Sequence, residues 1–75
     1  MNAQRVYRTF RPYALDLAAT HDVPIEEALL ALARAASHCP PNLAPFEIAR
    51  YVREQTEQWI VQFKHSGRGL LEETG

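Results

Sequence analysis

Apolar side chains recur at three- and four-residue intervals through most of this 75-residue chain. That is the spacing of one face of an α-helix. Prolines and glycines divide the pattern into pieces. In residues 2–20 the apolar set is Ala3, Val6, Tyr7, Phe10, Tyr13, Ala14, Leu17 and Ala18. Pro12 interrupts it, because an interior proline removes a backbone hydrogen bond and costs ~3 kcal/mol. The pattern therefore predicts a helix that begins near Thr9, with Thr9 as cap and Pro12 in the first turn. The residues before Thr9 would be a turn or an extended segment. Val6, Tyr7, Thr9 and Phe10 are good strand formers. Arg8, however, would share a strand face with Val6 and Phe10, so a helix, kinked if continuous, is the preferred reading of residues 5–11.

The second piece is plainer. Asp22 is a cap candidate, Pro24 suits a first turn, and Glu26 and Glu27 favour the positive end of the helix. Ile25, Ala28, Leu29, Leu32, Ala33 and Ala36 form the stripe. Leu30, Ala31 and Ala35 extend it around most of the circumference, as in a helix covered on several sides. Pro40 and Pro41 end it. The third piece has Asn42 as cap, Pro45 in the first turn and Gly67 at a left-handed end. Its span, residues 43–66, would measure roughly 35 Å at the helical rise. Ile48, Ala49, Val52, Trp59, Ile60 and Phe63 form its stripe, with a polar notch at Gln55 and Thr56. Arg50 and Glu54, and Arg53 and Glu57, stand four apart on the opposite face and contribute a few tenths of a kcal/mol each.

The expected fold is a small all-α, three-helix domain: a helical hairpin plus a longer C-terminal helix, over residues 1–67, with a tail at 68–75. The second helix, at roughly 22 Å, is too short to cover the third. Trp59, Ile60 and Phe63 must then meet the first segment or another chain, and the broad apolar band of the second helix favours a helical homodimer. Small domains often need such help.

Composition narrows the function. Hydrophobic residues are 47%, charged residues 23% and net charge −1, which describes a globular chain and neither a basic nucleic-acid coat nor an acidic tail. One cysteine, Cys39, excludes an internal disulfide framework and suits a reducing cytoplasm. The first ten residues hold no apolar core for a secretory signal, and the uncharged apolar run 28–33 is far too short to span a bilayer. His21, His38, His65 and Cys39 have no metal-ligand spacing, so neither metal nor cofactor is expected. His38 beside Cys39 lacks a third orienting group, and no phosphate loop is present. The chain reads as non-catalytic.

Two binding readings remain. Residues 16–33 carry −4, from Asp16, Asp22, Glu26 and Glu27, against +3 in residues 1–15 from Arg5, Arg8 and Arg11. A helix–turn–helix reading around residues 17–27 fails, because the reading helix would open on Pro24, Ile25, Glu26 and Glu27, which repel phosphate. A strand at residues 5–11 followed by two helices loosely resembles the ribbon–helix–helix repressors. It would place Arg5, Tyr7, Thr9 and Arg11 on one reading face. That resemblance covers roughly the first half of the chain. It departs from the family in the acids before its second helix and in the extra long third helix. The favoured expectation is instead a small adaptor, inhibitor or assembly factor that binds another protein through helical surfaces. Its expected contact residues are Arg5, Tyr7, Arg8, Arg11, Leu30 and Trp59, which have the chemistry of binding hot spots.

Overall fold

A computed structural model describes residues 2–66. They form α1 (Ala3–His21), α2 (Ile25–His38) and α3 (Pro45–Ser66), with no strand among the described residues. The expected tail at 68–75 and Gly67 lie outside the described residues.

The largest correction concerns α1. It does not start at Thr9. Its cap is Asn2, whose side-chain oxygen accepts the Arg5 N–H at 2.7 Å, and it continues through Pro12. Residues 5–11, the strand of the ribbon reading, are helical. Thr9 is a mid-helix residue whose hydroxyl donates to the Arg5 carbonyl at 2.8 Å. The energetics explain why the helix runs through its proline. Pro12 and Arg8 are both exposed, so the missing bond falls on the outer side of α1. The extra turns bury Val6 and pack Tyr7 and Phe10 against the core. Full burial of one such side chain contributes about 1.5–3 kcal/mol, so together they offset the cost of one proline.

The turn after α1 also differs from expectation. Asp22 closes α1 and does not cap α2. It takes the left-handed conformation, φ 55° and ψ 51°, and its N–H bonds the Ala18 carbonyl. The Val23 N–H reaches the same carbonyl at 3.0 Å. Val23 and Ala18 are both buried in one cluster. This is a Schellman closure with its apolar contact, built on an aspartate where glycine is usual. The α2 N-cap is Pro24, without a side-chain cap bond. At the other end, Cys39 is extended, φ −64° and ψ 128°, as the residue before Pro40 should be. The cap of α3 is likewise displaced from Asn42. Ala44 precedes the helix, Pro45 opens it, and Glu47 reaches back to accept the Ala44 N–H at 3.1 Å. That is the glutamate half of a capping box.

The helices run up, down and up. Arg53 lies over the Tyr13 ring and Lys64 meets the end of α1 at His21, so α1 and α3 are parallel. Tyr51 meets His38 and Trp59 meets Arg34, so α2 is antiparallel to α3. The broad apolar band of α2 follows from its place against both neighbours. Ala28, Ala31, Leu32, Ala35 and Ala36 are all buried, and the alanines let the helices approach closely.

The seam of α3 is Ile48, Val52, Thr56 and Ile60, each four residues from the next and all buried. Thr56 is therefore in the core and not in a solvent notch. Ile60 is completely buried and Phe63 packs on the core, both within one chain. Of the two coverings considered for α3, the first segment supplies this one. With 19 residues α1 reaches as far as the last turns of α3. No helix of the described residues is long and apolar enough to cross a membrane.

Candidate functional site

Residues of the expected contact set fall into separate patches. Arg5 and Arg8 line a shallow recess with Asn2, Gln4 and Thr9, all from the first turns of α1. Arg11 is exposed one turn on, and Tyr7 is half-buried against the core. Among the described residues, Arg5, Arg8 and Arg11 make no side-chain salt bridge. Their charge is solvated, and it is not matched by the acids of residues 16–33.

Trp59 belongs to a different surface. It lines an open groove of about 260 Å³ between α2 and α3 with Arg34, Ala35, His38, Tyr51 and Gln55. α1 contributes nothing to that lining, so the arginines of α1 and Trp59 do not share a surface recess. Leu30 is one turn before Arg34 on α2 and is 39% exposed. It therefore stands on the Arg34 side of α2, one turn from the groove.

The antiparallel register builds the groove. The Arg34 guanidinium carbon stands 4.9 Å from the centroid of the Trp59 ring, within the range of a cation–π contact. One turn further along α2, the His38 carbonyl accepts the Tyr51 hydroxyl at 3.2 Å. Gln55 lies between these contacts, half-buried. The groove thus presents an arginine, a histidine, an amide and two aromatic rings, and no carboxylate. Sequence reasoning missed Arg34, His38, Tyr51 and Gln55 as a set. The only local signal was that Arg34 is the one charged residue in the run 28–36. Its pairing with Trp59 depends on how α2 and α3 are aligned.

A second cluster locks α1 to α3. Lys64 donates to the His21 carbonyl at 2.6 Å, one of the orphan acceptors at a helix C-terminus. His21 lies 3.9 Å from the Glu57 carboxylate. Nearby, Arg53 stacks over Tyr13 at 5.4 Å. Burial pushes the Tyr13 phenol above its ordinary 10.0, Glu57 adds to the rise, and Arg53 opposes it. A raised acid pKa means that the fold favours the protonated phenol. The stability from this preference is complete below pH 10 and is lost as pH climbs through the folded-state value. Denaturant titrations across alkaline pH should show wild-type stability falling more steeply above pH 10 than that of Tyr13→Phe. Parallel curves would mean that the phenol titrates alike in both states.

Cys39 is a half-buried free thiol, and among the described residues no three of histidine, cysteine and acid converge as metal ligands. Comparison of the chain with protein-family models, with curated proteins and with solved structures finds no match.

Proposed function

We propose that this chain is a non-catalytic protein–protein interaction module of the cytoplasm, an adaptor, inhibitor or assembly factor that docks a partner on the α2–α3 face. The observation that carries this reading is the groove itself. Trp59, Arg34 and Tyr51 converge in an open recess flanked by the exposed Leu30. Tryptophan, tyrosine and arginine are the residue types that dominate binding energy at protein interfaces. The basic patch of Arg5, Arg8 and Arg11 is a second contact zone, acting by electrostatic steering and not by burial. A homodimer remains a separate proposal. A second copy would have Leu15, Ile25, Leu30 and Phe46 left to cover, the last of them 73% exposed, and sedimentation at two concentrations decides it.

Affinity capture from source-cell extract, compared across variants, tests the module. The wild-type chain should retain a discrete partner that is lost with Leu30→Glu and with Trp59→Ala at unchanged helicity. The Arg5→Glu, Arg8→Glu double variant should retain less of it as salt is raised. Capture indifferent to all these changes would refute the assignment. So would steeply salt-dependent binding of duplex DNA by the chain alone, which the ribbon-type regulator requires.

A further inference from the structure

Arg34 has no counter-charge among the described residues. Among the described residues its guanidinium makes no salt bridge and no hydrogen bond, and its one partner is the Trp59 ring. The indole holds the guanidinium 4.9 Å from its centroid, and no acceptor among the described residues takes up its N–H groups. A guanidinium held in this way suits a planar carboxylate, which it can meet with two parallel hydrogen bonds. The surroundings share this polarity. Gln55 offers an amide, the exposed His38 ring adds another N–H, and no acid lines the groove.

Acids do occur on the far side of Tyr51. There a separate recess is lined by Leu43, Glu47, Arg50, Tyr51 and Glu54, and Arg50 already bonds Glu54 at 3.2 Å. An acidic ligand is repelled at that end and drawn to the Arg34 end, where Leu30 supplies an apolar neighbour. A second copy is disfavoured as occupant. A two-fold axis through the Arg34–Trp59 groove would bring the two Arg34 side chains together with no groove carboxylate between them. Resting on the interaction-module reading, we infer that the Arg34–Trp59 pair anchors a carboxylate of the partner: an acidic peptide segment whose glutamate or aspartate side chain is flanked by an apolar residue.

Trp59 is the single tryptophan, so its emission reports directly on the groove. The test titrates the whole chain with a short capped peptide of repeating Leu-Glu-Glu and with its Leu-Gln-Gln counterpart. The glutamate peptide should shift the emission saturably and bind at least about tenfold more tightly, the margin of a charge-assisted pair. Arg34→Gln should bring its affinity down to that of the glutamine peptide. Equal binding of the two peptides overturns the carboxylate assignment while leaving the groove as a docking site. Tighter binding of a single-stranded oligonucleotide than of the glutamate peptide overturns both the assignment and the protein-partner reading. No saturable shift with any probe also overturns the assignment. The capture experiment with Leu30→Glu then judges the module separately, because that variant leaves Arg34 in place.

Discussion

Leu32→Ala should remove about 3 kcal/mol of stability and lower Tm by roughly 12–24 °C. Leu32 is completely buried on α2, among the core residues. Much of the α2 core surface is alanine, from Ala28, Ala31, Ala35 and Ala36. Leu32 is thus the one large apolar side chain that α2 buries completely. The cost of a large-to-small change grows with the cavity left behind, and close alanine packing leaves little room to collapse. A domain of this size has only a few kcal/mol in hand, so the variant should show measurable unfolding at ambient temperature. Urea unfolding followed by far-UV circular dichroism checks it. A loss below about 1 kcal/mol would mean that α2 is not held between two neighbours.

Thr56→Val should act in the opposite direction and stabilise the domain by about 1–2 kcal/mol. Thr56 is completely buried in the α3 seam between Val52 and Ile60, and its Oγ1 has no hydrogen-bond partner. A buried hydroxyl without a partner bears its full desolvation cost. Valine keeps the branched shape, has similar helix propensity and removes the polar atom. The denaturant midpoint should rise with an unchanged slope, which marks a stability change without a change of state. Thr56→Ser separates this cause from packing. It keeps the hydroxyl and deletes the methyl, and should destabilise. A midpoint for Thr56→Val equal to or below wild type would show that the hydroxyl is satisfied in solution.

The two variants also bear on the functional reading. Both alter the core without touching Arg34, Trp59 or Leu30. A stabilised Thr56→Val protein should therefore bind partner and peptide as wild type does. Loss of binding in that variant would place the binding determinant in the core and not in the α2–α3 groove.

How much of this was legible in the residues follows from the range of each interaction. Three helical pieces, the proline breaks at Pro40 and Pro41, and first-turn positions for Glu26 and Glu27 are local properties, and they stand in the fold. The caps were harder. Asp22, Asn42 and Thr9 all have capping chemistry, yet the caps that formed use Asn2 and the Glu47 side chain, while Asp22 took the left-handed turn. Several residues within a few positions could serve, and packing of the helix faces selected among them. Trp59 and Leu30 were visible as apolar residues with the chemistry of a contact surface. Arg34 was not, because an arginine in an alanine-rich helix reads as an ordinary solvent-facing residue until its neighbour on α3 is known.

By itself the sequence determined that this chain is helical, with one small core and no covalent staple, because periodicity, turn residues and cysteine count act locally or by simple number. Only the tertiary structure decided that α1 runs through Pro12, that Thr56 is interior, and that Arg34 meets Trp59. Those outcomes depend on which helix faces oppose one another. Burial gained across helices that are distant in the chain can outweigh a local penalty such as a mid-helix proline, and no local pattern records that balance.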